Sequence, residues 1–286
     1  MFVMKIALGT AQFDKDYGIN RINRKFTYKQ KKTLVSFVKK NNIKTIDTAY
    51  AYKNAEKDLG RIGVKNFEII TKLPKLKKTT SIETQVTSAT STSLEKLKLK
   101  SLYGLLIHNL DDLNSKNRNE YLNTLKKLKK NKIVKKIGVS LYNIQDLKKI
   151  MRYWIPDIIQ VPYSILDRRL NERSVLKKIK KQKIEVHARS IFLQGLLIKK
   201  NNKKKFKKWS NIFDNWFLWC KKNKVEPFQA AYLYVKKNDN IKKIIIGIDD
   251  IKQIQSIIEI KKKITKFPNL KCKDKKLLNP FNWSSL

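Results

Sequence analysis

Short apolar runs rich in β-branched residues alternate along this chain with segments whose apolar residues recur every three or four positions. The runs are typical of strands, and the recurrent spacing is typical of amphipathic helices. Continuous apolar stretches such as Leu105–Ile107 and Ile244–Ile246 indicate strands covered on both faces, as in a parallel sheet. The pattern predicts eight strands: Lys5–Leu8, Lys44–Asp47, Phe67–Lys72, Leu102–His108, Lys136–Ser140, Ile158–Val161, Ile184–Ala188 and Lys243–Gly247.

Helical spacing fills the intervals between these strands. The clearest helices carry four sets of apolar positions: Leu34, Val35, Phe37 and Val38; Tyr121, Leu122, Leu125 and Leu128; Ile144, Leu147, Ile150 and Met151; and Ile251, Ile254, Ile257 and Ile258.

Strict alternation of strand and helix, eight times over, predicts an α/β fold closed as a single (β/α)8 TIM barrel. The rival is an open doubly wound sheet, which normally carries a glycine-rich turn after its first strand. No G-x-G-x-x-G occurs among the 8 glycines, and no linker rich in proline, glycine or serine divides the chain. We therefore expect one domain over residues 1–286.

Two segments depart from the alternation. Lys199–Lys208 contains seven lysines and two asparagines and is predicted to be a mobile loop. Residues 265–286 lack periodicity and are predicted to be a C-terminal tail that packs across one face of the barrel.

The composition fits a globular protein with a sizeable core, because 41% of the 286 residues are hydrophobic and 10% are aromatic. No apolar stretch approaches the roughly 18 residues of a membrane-spanning helix, and the apolar start at Met1–Leu8 is too short for a signal peptide. The two cysteines, Cys220 and Cys272, form neither a disulfide framework nor a metal site. A cytoplasmic protein that binds no membrane and no metal is the expectation.

The charge is strongly basic, with 66 lysines and arginines against 23 acidic residues and a formal net charge of +43. Such a charge raises the possibility of a nucleic-acid-binding protein. Only 9 of the basic residues are arginine, the side chain that binds phosphate in bidentate geometry, and the lysines are spread over nearly every segment. This distribution favours a general lysine bias, and no specific nucleic-acid partner is expected.

Candidate chemistry lies at the carboxyl ends of the predicted strands, where such barrels hold their catalytic groups. Asp47 ends the second strand, Lys72 the third and His108 the fourth, while Tyr52 follows Asp47 by five residues. Each alone has an ordinary structural explanation. Because neighbouring strands place their ends side by side, the four side chains are expected to converge.

Their chemistry suits the reduction of a carbonyl group. A tyrosine has an ordinary pKa of about 10, and a nearby ammonium favours the phenolate and lowers that value. A carboxylate would hold the lysine in place, and a histidine at the rim would donate a hydrogen bond to a carbonyl oxygen. We therefore expect Tyr52 to act as general acid.

The order of Asp47, Tyr52, Lys72 and His108 resembles the catalytic tetrad of the aldo/keto reductase family, and the similarity extends from the first strand to about Ile258. The resemblance implies hydride transfer from a reduced nicotinamide to an aldehyde or ketone, with Tyr52 protonating the oxygen. It implies no metal.

Weaker markers of the same family occur in the expected order and imply the residues that bind the cofactor. Ser140 and Gln160 match positions that contact the nicotinamide carboxamide, and Arg189 replaces an aromatic residue that commonly stacks on that ring. The implied cofactor-binding set is Gly9, Thr10, Asp47, Ser140, Gln160, Arg189, Ser190, Gln194, Gly247 and Gln253. His187 is interpreted as a strand residue without a catalytic role.

The resemblance favours NADPH, although Asp249 and Asp250 would oppose its 2′-phosphate, so NADH is the alternative. The substrate is expected to be a small carbonyl compound, and resembling bacterial reductases often act on sugar-derived ones. Phe13, Tyr17, Tyr50 and Tyr163 are predicted to line its pocket. Two alternatives stay open: a cofactor-binding redox sensor or regulatory barrel with little turnover, and a basic nucleic-acid-binding protein. The oligomeric state does not follow from the sequence.

Overall fold

The computed structural model describes residues 5–13, 26–77, 80–113, 116–200, 204–248, 250–261 and 263–285. Eight parallel strands close into a barrel in the order of the chain, from β1 through β8 and back to β1. The predicted (β/α)8 barrel is therefore confirmed. The strands are β1 Ile6–Gly9, β2 Thr45–Asp47, β3 Glu68–Lys72, β4 Leu102–Ile107, β5 Val134–Ser140, β6 Ile158–Pro162, β7 Glu185–Arg189 and β8 Ile241–Gly247.

Helices follow the strands around the outside of the barrel. A large apolar cluster fills the space between the sheet and these helices. The helices are α1 Tyr28–Lys40, α2 Ala55–Ile62, α3 Ile82–Leu97, α4 Arg118–Lys130, α5 Gln145–Ile150, α6 Arg173–Lys181, α7 Ser210–Lys222, α8 Pro227–Lys236, α9 Ile251–Ile258 and α10 Lys275–Leu278.

Helix α1 shows how local sequence sets an element. Thr27 accepts a hydrogen bond from the backbone of Gln30, whose side chain accepts one from the backbone of Thr27, so the helix begins with a capping box. The predicted apolar positions Leu34, Val35 and Val38 are buried against the sheet. The helix is thus fixed at its start and along its inner face.

The interior of the barrel holds an apolar layer with a charged network below it. Ile70, Leu106 and Ile158 form the apolar layer. Nearer the amino ends of the strands, Glu185 accepts hydrogen bonds from Lys136 and Tyr103 and pairs with His187 Nε2 at 2.8 Å.

Charges are paired elsewhere at this end, since Lys243 Nζ lies 3.1 Å from Glu68 Oε2. His187 is fully buried within β7, as expected for a strand residue. The charged groups at this end bond to one another. Such barrels hold their catalytic groups at the opposite, carboxyl end of the strands, where chemistry is therefore expected.

The lysine-rich segment is more ordered than predicted. Residues 204–209 form a 3-10 helix in which Phe206 and Trp209 are buried, so the mobile-loop prediction was wrong for this part. The two aromatic side chains among the lysines explain the difference, because they pack into the protein. Residues 201–203 lie outside the described part of the chain.

The C-terminal tail packs against this 3-10 helix and against the barrel. The Trp283 ring meets Phe206 edge to face with centroids 5.3 Å apart, and Lys205 Nζ donates to the Trp283 carbonyl. Cys272 donates its backbone N–H to the Leu166 carbonyl in the loop after β6. Within the described ranges, no helix is both long and apolar enough to cross a membrane.

Candidate active site

A buried ion pair lies at the carboxyl end of the barrel. Lys72 Nζ, at the end of β3, lies 2.6 Å from Asp47 Oδ1 at the end of neighbouring β2. The same ammonium donates to the Thr48 carbonyl at 2.8 Å, and both charged side chains are buried. These bonds fix the ammonium in place, as expected for a positioned cation.

The second oxygen of Asp47 is held from the far side of the barrel. Gln160 on β6 donates through Nε2 to Asp47 Oδ2 at 2.7 Å. Asp47 therefore accepts one hydrogen bond from a cation and one from a neutral amide. This arrangement connects the predicted tetrad to a predicted cofactor residue.

Tyr52 lies above this pair in the loop between β2 and α2. Its backbone N–H donates to Ala49, and Lys72 Nζ lies 5.4 Å from the centroid of its ring. His108 directly follows Ile107, the last residue of β4, and is partly buried. Lys72 thus contacts both Asp47 and Tyr52, and His108 lies just after β4, the strand next to β3.

The pKa of Tyr52 is raised, which contradicts the expectation that Lys72 would lower it. Burial of the phenol is the largest cause, and the negative charge of Asp47 adds to it. The Arg189 guanidinium acts in the opposite direction and lowers the pKa of Tyr52. Because Lys72 is already bonded to Asp47, its charge is balanced by that carboxylate.

Arg189 ends β7 beside this site and is part of a stack of side chains. Its guanidinium lies 4.1 Å from the ring centroid of Tyr142, and the Phe281 ring meets Tyr142 edge to face with centroids 4.6 Å apart. The guanidinium donates to the Leu141 carbonyl at 3.0 Å and to Ser190 Oγ at 3.1 Å. Tyr142 also acts on Tyr52, raising its pKa.

Two glycines face each other where β1 meets β8. Gly9 pairs with Gly247 in register. A Cβ on Gly247 would lie only 2.1 Å from Gln12 Oε1, so the glycine lets Gln12 pack across the strand ends. Gln12 Oε1 is buried and has no hydrogen-bond partner within the described part of the chain. Thr10 is also buried, and its hydroxyl donates a hydrogen bond to the Asp47 carbonyl.

The loop after β7 has an unusual backbone. Ser190, Leu193 and Gln194 have φ values of 55°, 47° and 52°, and Gly195 has 98°. Left-handed residues other than glycine are uncommon, and they concentrate in loops that hold ligands. The predicted cofactor residues Ser190 and Gln194 both belong to this set.

The predicted adenosine-side residues lie at the start of α9. Asp250 caps this helix by accepting a hydrogen bond from the Lys252 N–H at 3.0 Å. Gln253 follows in the first turn of the helix.

Three of the four predicted substrate-pocket residues lie in the described part of the chain, in the segments that follow β1, β2 and β6. Phe13 is buried against Phe26, with ring centroids 6.0 Å apart. Tyr50 lies against the ammonium of Lys96. The other two are Tyr163, whose ring stacks on Tyr234, and Tyr17, which lies outside the described residues.

Sequence reasoning missed Gln12, Tyr142 and Phe281 as residues of this site. Gln12 follows Thr10 by two positions and Tyr142 follows Ser140 by two, so a search of the strand-end loops would have found both. Phe281 carries no such signal, because its contact with Tyr142 joins the C-terminal tail to the loop after β5. In the described ranges, no group of three His, Cys, Asp or Glu side chains is arranged to hold a metal ion.

Comparison with known proteins identifies the family of this chain. A sequence model of the aldo/keto reductase family matches residues 5–269. The chain belongs to the aldo/keto reductase family. As a member of that family, the protein is an oxidoreductase that acts on small carbonyl compounds.

Solved structures show the same fold. An aldo-keto reductase from Bacillus halodurans, solved in its holo form, superimposes with a TM-score of 0.72 at 16% identity, covering 90% of this chain and 86% of that one. A glycerol dehydrogenase from Gluconobacter oxydans gives a TM-score of 0.70 at 19% identity, covering 92% and 88%. Comparison with curated protein sequences gives no match.

Proposed function

We propose that this aldo/keto reductase reduces an aldehyde or ketone to an alcohol with NAD(P)H, using Tyr52 as general acid. The observation that carries the proposal is the buried pair of Lys72 and Asp47 beneath the Tyr52 ring, with contacts of 2.6 and 5.4 Å. A buried ion pair at the carboxyl end of a barrel is costly to maintain, and a catalytic role gives it a use.

Each member of the tetrad takes a distinct part in this proposal. Tyr52 donates its hydroxyl proton to the carbonyl oxygen as negative charge develops there. Lys72 and Asp47 are positioning residues for Tyr52, and His108 orients the carbonyl. The raised pKa of Tyr52 keeps the phenol protonated before reaction. An alkoxide is a much stronger base than a phenolate, so the proton transfer is still favourable.

Polar groups around the mouth fit a nicotinamide cofactor. The unpartnered Gln12 Oε1 is an acceptor for an amide, and Gln160 and Ser140 lie on adjacent strand ends. When bound, the reduced nicotinamide supplies a hydride to the carbonyl carbon. Ser140, Gln160 and Arg189 would hold the nicotinamide side of the cofactor.

The proposed remainder of the cofactor site follows β7 and β8. Ser190 and Gln194 would hold the diphosphate, because left-handed turns direct backbone N–H groups toward anions. Gly9, Thr10 and Gly247 form the wall between β1 and β8, and Gln253 would contact the adenosine side.

NADPH is the proposed cofactor on family grounds, and one observation favours NADH as the second candidate. The Asp250 carboxylate already caps α9 and places a negative charge where a 2′-phosphate would come near. Lys252 in the same turn offsets part of that charge. Titration with both cofactors separates the two: a lower dissociation constant for NADH would assign the site to it.

The substrate is proposed to be a small carbonyl compound, with sugar-derived carbonyls as the first class to test. Tyr142 and Phe281 are proposed to form an aromatic wall near Tyr52, in addition to the four aromatic residues predicted from sequence. A cytoplasmic location and the absence of a specific nucleic-acid partner stay predictions from the sequence.

The test compares wild type with Tyr52→Phe in two assays. Fluorescence titration measures NADPH and NADH binding, and absorbance at the cofactor band measures turnover with a panel of aldehydes and ketones. Loss of turnover by at least ~100-fold with cofactor affinity retained would support the proposal. Cofactor binding without turnover in wild type would instead favour a regulatory barrel, and equal turnover in Tyr52→Phe would contradict the role of Tyr52.

A further inference from the structure

The charge of Arg189 is left unbalanced at the mouth of the site. Its two hydrogen bonds go to neutral acceptors, the Leu141 carbonyl and Ser190 Oγ. In the described part of the chain no carboxylate forms an ion pair with it, whereas Lys72 is balanced by Asp47 and Arg169 by Asp167. A partly buried, unpaired guanidinium acts over longer distances than one that is paired and exposed.

Three contacts hold the guanidinium in one place. Its hydrogen bonds tie it to the loop after β5 and to its own neighbour, and its Cζ lies over the Tyr142 ring. The Leu141 N–H in turn bonds to the Gln160 carbonyl, and Gln160 bonds to Asp47. A continuous set of contacts therefore connects Arg189 to the tetrad.

The proposed reaction places a nicotinamide ring in the field of this cation. Tyr52 must come within hydrogen-bonding distance of the carbonyl oxygen, and the hydride donor must lie about 3 to 3.5 Å from the carbonyl carbon. The donor ring is then within roughly 7 Å of the Tyr52 hydroxyl. Arg189 ends β7 at this mouth and connects through Leu141 and Gln160 to Asp47, which pairs with the Lys72 ammonium against Tyr52. Its charge therefore also acts on a ring beside Tyr52, in line with its effect on the pKa of that residue.

We infer that Arg189 makes this site discriminate between the two redox forms of its cofactor, binding the reduced nicotinamide more tightly than the oxidised one. The inference rests on the proposed function. A nicotinamide ring gains one positive charge when it gives up a hydride, so a fixed cation nearby repels the oxidised form and leaves the reduced form unaffected. An aromatic side chain at this position would not exert that repulsion.

Two consequences follow for the catalytic cycle. The oxidised cofactor leaves the site more readily after each turnover, and the bound couple has a higher reduction potential than the free one. Substrate reduction then depends on the supply of reduced cofactor, and the oxidised cofactor inhibits the enzyme little.

Dissociation constants for NADPH and NADP⁺, and for NADH and NAD⁺, would be measured on the full chain by calorimetry. Wild type is compared with Arg189→Met, which removes the charge, and Arg189→Lys, which retains it. Arg168→Met is the matched control, because Arg168 also lies over a tyrosine ring, at 5.2 Å from Tyr234, but among outer loop and tail residues.

The expected readout is the ratio of the oxidised to the reduced dissociation constant, from which any general loss of affinity cancels. Arg189→Met should lower this ratio by about tenfold, while Arg189→Lys and Arg168→Met should leave it within about threefold of wild type. An unchanged ratio in Arg189→Met overturns the inference. The inference is also overturned if that variant raises only the KM of carboxylate-bearing carbonyls, since the guanidinium would then face the substrate.

Failure of the proposed function would look different. Wild type would then bind neither redox form of either cofactor, and both the proposed function and this inference would be rejected. Binding with an Arg189-independent ratio rejects the inference alone.

Discussion

Gln160 Nε2 donates to Asp47 Oδ2 at 2.7 Å, so a strand on one side of the barrel holds the carboxylate that pairs with Lys72 on the other. The amide gives Asp47 a second donor without adding a second cation. The position of Lys72 beneath Tyr52 therefore depends on β6 as well as on β2 and β3.

Gln160→Glu should make activity depend on pH in a new way. Two carboxyl groups at this distance repel when both are ionised, which raises the pKa of the pair above that of an isolated carboxyl group. We expect kcat/KM to fall at least ~tenfold at pH 8 and to recover partly at pH 6, as the pair takes up a proton. The measurement is kcat/KM between pH 5 and 9.

Gln160→Met is the control for that profile, because it removes the donor and adds no charge. Its loss of activity should be the same at pH 6 and pH 8. Wild-type activity of Gln160→Glu at pH 8 would show that the contact with Asp47 has no influence on the reaction.

The pair of Lys72 and Asp47 should be strongly coupled in stability. Lys72→Met leaves a buried carboxylate with only a neutral donor, and we expect a loss of ~3 kcal/mol in the free energy of unfolding. The double variant Lys72→Met/Asp47→Asn should lose less free energy of unfolding than the sum of the losses of the two single variants, by at least ~1 kcal/mol. Urea denaturation of the four proteins measures this coupling.

The exposed pair of Lys127 and Glu83, 2.8 Å apart, provides the control cycle. Its coupling should stay below ~0.5 kcal/mol, since solvent screens the charges. Additive effects at Lys72 and Asp47 would mean that neither group depends on the other.

Glu185 should contribute stability that disappears in acid. Burial alone would raise its pKa, but hydrogen bonds from His187 and Lys136 lower it from 4.5 to about 2. A carboxyl group whose pKa is lower in the folded state stabilises the fold above the unfolded value and loses that contribution as pH falls toward the folded value. The loss therefore extends from about pH 5 down to about pH 2, with an upper limit of ~3 kcal/mol.

Glu185→Gln should lower stability at pH 7 and flatten its pH dependence over that interval, as measured by urea unfolding at several pH values. Glu226→Gln is the control, because Glu226 is exposed at the start of α8. A pH dependence in Glu185→Gln as steep as in wild type would refute the assignment.

Gly138→Ala should strain the barrel interior. The added Cβ would lie 2.3 Å from the Ile158 carbonyl oxygen and 2.8 Å from Leu106 Cδ2. Overpacking of this kind costs about 3 kcal/mol. Gly63→Ala is the comparison, because its Cβ would meet nothing within 4 Å and only the left-handed φ of 91° opposes it; its cost should be about 1 kcal/mol. Equal melting temperatures for the two variants would contradict the packing.

The strands were predictable from sequence because buried β-branched runs are typical of a parallel sheet, and the larger boundary errors, of two residues, fall at the starts of β5 and β8. β8 begins at Ile241, two residues before the predicted start at Lys243. Lys243 looked like the polar edge of the strand, but its ammonium bonds to Glu68 and is buried. β5 likewise begins at Val134, two residues before the predicted start at Lys136, whose ammonium bonds to Glu185. From sequence alone, a lysine in a strand predicts a solvent-exposed position, because a buried acidic partner cannot be identified.

The convergence of Asp47, Lys72 and Tyr52 could be predicted from the order of the strands, but the raised pKa of Tyr52 could not. The pairing of Lys72 with Asp47 was expected because they end neighbouring strands, whereas the action of Arg189 on Tyr52 joins segments far apart in the chain. The aromatic wall of Tyr142 and Phe281 required the tail to be placed against the barrel. Long-range contacts of this kind leave no periodic signal in the sequence.

Isotope transfer is the sharpest test of hydride delivery to a carbonyl carbon at the Tyr52 site. The protein would be incubated with an accepted aldehyde and with reduced cofactor in which both C4 hydrogens of the nicotinamide are deuterium, and the alcohol analysed by mass spectrometry. We expect deuterium on the carbinol carbon with wild type and almost no labelled alcohol with Tyr52→Phe. An alcohol without deuterium, or equal labelling by both proteins, would contradict the proposed reaction.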